Sequence, residues 1–126
     1  GKKVKCWEIV KKFEGDLNNS PGNAIDVHMN WIMEDGKYIE EYLVSRELLV
    51  STMKKAGCKL VDTESFSTIY ELNKPYFTKV IEYEENPKNK KFYEKVAQFY
   101  DNLKGADKET KTYSFLNRYY VFKRTE

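Results

Sequence analysis

Two adjacent glutamates, Glu40 and Glu41, are the residues of this chain whose type and spacing most clearly suggest chemistry. They lie within residues 38–44, which the sequence pattern predicts to be a β-strand. Successive side chains of a strand point to opposite faces, so Glu41 shares a face with Ile39 and Leu43, and Glu40 lies on the other, aromatic face. A carboxylate among aliphatic neighbours needs a basic side chain, edge water or a ligand as its partner. The alternative is that both glutamates are charges that keep an exposed edge strand from pairing.

Other chemical signatures are missing from the sequence. No Gly-rich phosphate-binding loop occurs. The single histidine, His28, is predicted to face solvent from the polar side of a strand, so neither a zinc ligand set nor a Ser-His-Asp triad can be assembled. Cys6 and Cys58 are far apart and show no CxxC spacing, which predicts two reduced, half-buried thiols in an intracellular protein.

Composition predicts one folded domain without a strong polyanion-binding bias. The chain has 126 residues, of which 33% are charged and 40% hydrophobic, and its net charge is only +2. Contact with phosphates would therefore come from local clusters. Such clusters occur at Lys2-Lys3-Lys5, Lys11-Lys12, Lys54-Lys55, Lys88-Lys90-Lys91 and Arg118, Lys123 and Arg124, with Trp7, Tyr93 and Tyr119 as interleaved aromatic residues. The alternative is that these lysines are ordinary solvated surface. No apolar run approaches the roughly 20 residues of a membrane span, and no signal peptide is expected from the first residues of the sequence.

Apolar periodicity and turn residues predict a mixed α/β layer in the order β, β, β, α, β, α, α, β. Strands are predicted at 2–13, 24–30, 38–44, 58–61 and 110–123. Helices are predicted at 45–56, from Asp62 or Thr63, and from Pro87 to near Gly105. Residues 75–85 fit more than one state. The strand, helix and strand between 38 and 61 are predicted to form an α/β crossover unit. In 24–30, Ile25, Val27 and Met29 are predicted to form the buried face.

Several short segments, taken together in their order and spacing, resemble the eukaryotic and viral mRNA cap guanine-N7 methyltransferases. The segments are 21–27, 41–44, 48–57 leading into 59–62, 66–70 and 119–124. They cover most of the chain from Pro21 onward, and the likeness is strongest to the C-terminal methyltransferase domain of capping enzymes in large DNA viruses, poxviruses and giant viruses among them. Residues 4–12, with Trp7-Glu8-Ile9, are most similar to the giant-virus versions.

This resemblance implies that residues 1–126 form one domain or fragment, the C-terminal half of a class I, Rossmann-like methyltransferase fold. Its mixed sheet would contain antiparallel strands with flanking helices. In the family, the co-substrate S-adenosylmethionine binds an acidic-Gly-x-Gly loop on the first strands, which nothing here matches, because Asp35-Gly36 is predicted to be a turn. The chain alone is therefore expected to be inactive. The implied location is the cytoplasm, with a viral factory or virion for a viral enzyme.

The resemblance also implies site residues. Glu41 matches the family glutamate that recognises the cap guanine, whose N1–H and N2 amino group a carboxylate can bind together. The product, 7-methylguanine, is cationic, so a nearby negative charge favours the reaction, and guanine N7 needs no general base. The family places a tyrosine of the last strand against the cap. Counting back from Phe122 without a gap puts Asn117 at that position, and a small shift puts Tyr119 there. The alternative is that Tyr119 only packs within the sheet.

The partners implied are the capped mRNA 5′ end and the missing N-terminal half of the methyltransferase domain or a partner subunit. Strand edges exposed in such a fragment could also pair two copies into a homodimer. One alternative function is a non-catalytic methyltransferase-like subunit that binds and stimulates a catalytic partner. Another is a free-standing RNA-binding domain, which would require measurable, salt-dependent RNA affinity from this chain alone, where little is expected.

Overall fold

A computed structural model of the chain describes residues 4–100, 103 and 105–125. Lys2 and Lys3, which belong to the predicted strand 2–13 and to a predicted basic cluster, lie outside the described residues. The strands are β1 (Trp7–Lys11), β2 (Asn23–Met29), β3 (Ile39–Leu43), β4 (Cys58–Ser65) and β5 (Arg118–Arg124). The helices are α1 (Arg46–Lys55), α2 (Phe66–Tyr83), α3 (Pro87–Ala97) and α4 (Ala106–Ser114), with a short 3-10 turn at Gln98–Tyr100. The protein is therefore mixed α/β with antiparallel strands, as the sequence predicts.

The chain divides into two compact units. The first unit contains Gly1–Thr63 and Tyr120–Glu126, and the second contains Glu64–Tyr119. None of the helices in the described ranges is both long and apolar enough to cross a membrane.

The first unit contains a three-stranded antiparallel sheet in the order β1-β2-β3, so β2 is central and the other two strands are edges. The alternation predicted for β2 is confirmed, because Ile25, Val27 and Met29 are only 5%, 1% and 8% exposed. The register places Val27 between Ile9 of β1 and Ile39 of β3. These rows of aliphatic side chains form one face of the sheet.

Helix α1 follows β3 after a two-residue connection and begins as predicted. Ser45 caps it, since its hydroxyl oxygen accepts a hydrogen bond from the Leu48 amide at 3.1 Å. Gly57 ends the α1 segment with a φ of 77°, a left-handed value that glycine adopts without strain. Strand β4 then pairs with β5 in a separate two-stranded sheet. The predicted crossover unit is therefore wrong, because β3 and β4 do not belong to the same sheet.

In the second unit, α2 begins later and is longer than predicted. Strand β4 continues to Ser65, whose hydroxyl oxygen accepts from the Thr68 amide at 3.2 Å and caps α2. The predicted starts at Asp62 or Thr63 are therefore wrong. The helix runs through Pro75 to Tyr83, which assigns most of the ambiguous stretch 75–85 to helix.

The last predicted helix and strand differ most from the structure. Helix α3 starts at Pro87 with Asn86 as its cap, as predicted, but it ends at Ala97. Residues 110–114 belong to α4 rather than to a strand, and β5 starts only at Arg118. The acidic residues Asp107 and Glu109 in the first turn of α4 favour helix through its macrodipole, which outweighs the alternating pattern that predicts a strand.

Candidate functional site

Glu41 lies at the centre of the edge strand β3, on the face that carries the buried apolar side chains of β2. Its direct cross-strand neighbour is Ile25, which is 5% exposed, and the residue opposite Ile25 on the other side is Lys11 of β1. All five residues of β3 are exposed. The predicted strand and the aliphatic surroundings of Glu41 are therefore confirmed, and its carboxylate is open to solvent.

No partner within the described part of the chain holds the Glu41 carboxylate. The cation on its cross-strand row, Lys11, instead donates to the carbonyl oxygen of Gly15 and lies 4.6 Å from the ring centroid of Phe13. Among the described residues, no hydrogen bond or ion pair involves the side chain of Glu41. The carboxylate can therefore accept hydrogen bonds from a ligand without first breaking an internal one.

Glu40 differs from its neighbour. It lies on the opposite face, where the hydroxyl of Tyr42 donates to its Oε1 atom at 2.7 Å. This hydrogen bond to a carboxylate raises the pKa of Tyr42. Asp26, directly across from Glu40 on β2, is held in an ion pair with Lys12 at 2.9 Å. The carboxylates of Glu40 and Asp26 on the polar face thus have partners within the chain, whereas that of Glu41 has none among the described residues. The two adjacent glutamates are therefore not equivalent.

The same polar face contains His28, for which the predicted solvent exposure is wrong. His28 is 1% exposed. Its ring centroid lies 5.5 Å from that of Tyr38, and the hydroxyl of Tyr38 donates to the carboxylate of Glu8. Glu8 is the direct cross-strand neighbour of His28 on β1. Glu8 of β1 and Tyr38, which directly precedes β3, therefore cover the imidazole, and strand alternation alone does not predict this.

The ring nitrogens of His28 have different surroundings. Nδ1 lies 2.7 Å from the carbonyl oxygen of Lys37, so this nitrogen carries the hydrogen and donates. Nε2 is buried and has no hydrogen-bond partner within the described residues. The Nδ1 bond fixes the ring orientation and ties the loop before β3 to the central strand.

Electrostatic interactions fix the positions of Glu8 and Tyr38, the two residues that cover His28. Lys5 donates to Glu8 at 2.6 Å, and this bond lowers the pKa of Glu8, with the Tyr38 hydroxyl as the second cause. The same contacts raise the pKa values of Lys5 and Tyr38, in each case chiefly through the bond to Glu8. The cluster of Lys5, Glu8 and Tyr38 is not predicted from the sequence, although the even spacing of Cys6, Glu8 and Val10 assigns Glu8 to one strand face.

Asn117 and Tyr119 belong to the second unit, whereas Glu41 belongs to the first. Asn117 precedes β5, and its side-chain nitrogen donates to the carbonyl oxygens of Tyr113 at 3.3 Å and Ser114 at 3.1 Å. It therefore closes the C-terminal end of α4. Tyr119 lies within β5 and is half-buried. The predicted shared strand of these two residues is not formed, since β5 begins between them at Arg118.

The two cysteines and the possible metal ligands are the remaining reactive groups of the described residues. Cys6 and Cys58 are free and half-buried, which agrees with the predicted burial. In the described ranges, no group of three or more His, Cys, Asp or Glu residues is arranged to hold a metal ion. The open carboxylate of Glu41 is therefore the predicted site residue with the clearest capacity to bind a ligand.

A comparison with known proteins relates the chain as a whole to a viral protein. The chain is 34% identical over 136 aligned positions to a protein of Acanthamoeba polyphaga mimivirus described as "Probable mRNA-capping enzyme". The alignment covers 99% of this chain. The chain is related to a viral mRNA-capping enzyme. It spans only 12% of the length of that capping enzyme. No family model matches the chain.

Proposed function

We propose that this chain is the C-terminal part of an mRNA cap (guanine-N7) methyltransferase and contributes the wall that recognises the cap guanine. The observation that carries the proposal is the similarity to a capping enzyme across 99% of the chain. The unpaired carboxylate of Glu41 supports the specific role. We also propose that the chain has the fold of the C-terminal half of a class I, Rossmann-like methyltransferase.

Glu41 supplies the chemistry that guanine recognition requires. A guanine edge presents N1–H and the N2 amino group side by side, and a carboxylate can accept from both donors. Adenine lacks this pair of donors, so the contact is specific for guanine. Methylation of N7 creates a positive charge on the base, and a fixed carboxylate stabilises that charge as it develops. Because N7 already carries a free lone pair, this role needs no general base in the chain.

The methyl donor does not fit the residues of this chain. The Asp35-Gly36 pair is part of a turn, in which the Lys37 amide donates to the Glu34 carbonyl at 3.1 Å and Gly36 has a φ of 76°. It does not follow a strand end of a parallel sheet, where an S-adenosylmethionine loop would lie. We therefore assign donor binding to another part of the polypeptide or to a partner subunit. The only role in methyl transfer that we assign to residues of this chain is guanine binding.

Asn117 and Tyr119 stay predictions from the resemblance. The Asn117 side-chain nitrogen already donates to two carbonyl oxygens, so only its Oδ1 atom is available to a ligand in this conformation. Tyr119 keeps an aromatic ring at the start of β5. Separate substitutions, Asn117→Ala and Tyr119→Leu, distinguish them, because only the residue that contacts the cap should alter the KM for capped RNA.

The decisive experiment substitutes Glu41→Gln in the complete methyltransferase domain that contains this chain. The measurement is the kcat/KM of N7 methylation for GpppA-capped RNA. Loss of a hydrogen-bonded charge at a binding site costs about 1.5–3 kcal/mol, so we expect a decrease of roughly 10- to 150-fold.

Glu40→Gln is the matched control, because it removes the same charge from the neighbouring position on the opposite face. We expect this variant to keep activity within about twofold of the unaltered domain. The cap-contact assignment is abandoned if Glu41→Gln also stays within about twofold, or if both variants lose activity to the same extent.

A further inference from the structure

Four basic residues line adjacent cavities in the first unit, near the junction of α1, β4 and β5. They are Lys54, Lys59, Lys123 and Arg124, here called the basic patch. All four are exposed. Lys54 comes from the last turn of α1, Lys59 from β4, and the other two from the end of β5. Within the described residues, none of their side chains forms a hydrogen bond or an ion pair, which leaves four cationic groups open to solvent.

Two adjacent cavities give the basic patch its shape. One has a volume of about 580 Å³ and is lined by Lys54 and Lys59, with Val50, Cys58, Leu60 and Thr125. The second has a volume of about 450 Å³ and is lined by Lys59, Lys123 and Arg124, with Val61 and Thr125. Lys59 and Thr125 line both cavities, so they form a continuous concave surface. Among the described residues that line them, none is acidic.

The position of the basic patch is fixed by backbone contacts. The amide of Thr125 donates to the carbonyl oxygen of Gly57 at 2.7 Å, and the Thr125 hydroxyl donates to the same oxygen at 2.8 Å. These bonds tie the end of β5 to the turn between α1 and β4. The basic residues of three elements are therefore held together before any ligand binds, which lowers the entropic cost of binding.

Two other lysines of the first unit differ from the basic patch, because each forms an ion pair with an acidic side chain. Lys5 pairs with Glu8 at 2.6 Å and Lys12 with Asp26 at 2.9 Å. Lys54 alone could be explained by the favourable position of a cation at the C-terminal end of a helix. That explanation does not apply to Lys59, Lys123 and Arg124, which come from two strands. In a chain with a net charge of only +2, this concentration of unpaired cations points to an anionic ligand.

We propose that the basic patch binds the phosphate backbone of an RNA strand. The proposal rests on the proposed function in one respect, since the capping role makes RNA the expected polyanion. Several cations along a continuous surface suit successive phosphates better than a single small anion. Binding of this kind is independent of sequence and weak for one patch, and it positions the strand rather than specifying it.

The test measures binding of the unaltered chain and two triple variants to a fluorescently labelled, uncapped 12-nucleotide RNA by anisotropy at several salt concentrations. The patch variant carries Lys59→Gln, Lys123→Gln and Arg124→Gln. The control carries Lys88→Gln, Lys90→Gln and Lys91→Gln, which removes the same charge from exposed positions of α3.

We expect the patch variant to bind about tenfold or more weakly at low salt and the control to lose less than about threefold. Each phosphate contact contributes about 0.7 to the slope of log K against log salt, so the slope should fall by roughly 2 in the patch variant. Equal losses in the two variants, or no binding by the unaltered chain at low salt, overturn the proposal. So does displacement of the RNA by GTP at an equal concentration of phosphate groups, because the ligand would then be a free nucleotide.

A second measurement does not depend on the folding of any variant. Titration of the unaltered, isotope-labelled chain with the same RNA should shift the amide NMR signals of Lys59 and Thr125 more than those of α3. The opposite pattern contradicts the proposal. Because the RNA carries no cap, failure here leaves the guanine contact of Glu41 intact, and failure of the Glu41→Gln experiment leaves this binding result intact.

Discussion

The hydroxyl of Tyr38, the residue directly before β3, donates a hydrogen bond to the carboxylate of Glu8 in β1, and this bond links the start of β3 to β1 across the central strand. Beneath it lies His28 of the central strand, which is 1% exposed. On the polar face of the sheet, the side chains of Glu8 and Tyr38 therefore shield His28 from solvent. The opposite face carries the unpaired carboxylate of Glu41, so the bond between Tyr38 and Glu8 stabilises the strand that presents the candidate guanine contact.

Tyr38→Phe should destabilise the first unit. The substitution removes the hydrogen bond to Glu8 but keeps the ring that packs against His28. We expect a lower midpoint of thermal unfolding and faster hydrogen exchange at the amides of β3. Tyr42→Phe is the matched control, because the Tyr42 hydroxyl bonds Glu40 within the same strand and joins no second element. A midpoint that is equally low in both variants would show that the bond across the sheet has no special role.

The stability of the chain should depend on the ionisation of Glu8. Its pKa is lowered from 4.5 in the folded state, mainly by the hydrogen bond from Lys5. A carboxyl group with a lowered folded pKa stabilises the protein above its unfolded pKa, and this contribution is lost as the pH falls through the folded value. We therefore expect the difference in unfolding free energy between the unaltered chain and Glu8→Gln to be constant near pH 6–7 and to shrink below about pH 4.5. Urea titrations at successive pH values measure this, and a constant difference down to pH 3 would contradict it.

His28 is expected to be a structural residue of the core. His28→Ala leaves a cavity and removes the donor to the Lys37 carbonyl, so we expect a loss of about 2–4 kcal/mol in unfolding free energy. His28→Asn is the informative comparison, because an asparagine amide can place a donor where Nδ1 lies and should recover part of that loss. Equal destabilisation in both variants, measured by urea unfolding, would show that the Lys37 bond contributes little.

The fold could be predicted from the sequence where the signal is local. The alternation in β2 predicts the buried Ile25, Val27 and Met29, and Ser45 predicts the start of α1, because a side-chain pattern or one capping hydroxyl decides each case. The cover over His28 could not be predicted in this way. Alternation gives the face of a side chain, but the burial of that face depends on the register of neighbouring strands.

In the candidate site, too, local features could be predicted from the sequence and features that depend on other strands could not. The position of Glu41 beside an aliphatic row follows from alternation. Its exposure depends on β3 being an edge strand, and its lack of a partner among the described residues depends on where Lys11 is directed. The basic patch was only partly predictable, since Lys59 is isolated in sequence and joins Lys123 and Arg124 through the pairing of β4 with β5. The strand predicted at residues 110–123 is only partly formed, because residues 118–123 belong to β5 whereas residues 110–114 belong to α4.

Replacing Pro75 should stabilise the second unit. Pro75 is exposed within α2, where it has no amide hydrogen to donate to the carbonyl of Glu71. A proline in a helix interior costs about 3 kcal/mol relative to alanine, and relaxation of the helix around it already offsets part of this, so Pro75→Ala should raise the unfolding free energy by about 1–3 kcal/mol. Lys74→Ala, an exposed substitution in the same turn, should change it by less than about 0.5 kcal/mol. Urea unfolding followed by far-UV circular dichroism compares the two variants. If Pro75→Ala destabilises the chain, then α2 needs the proline for packing, and the helix-interior penalty does not govern this position.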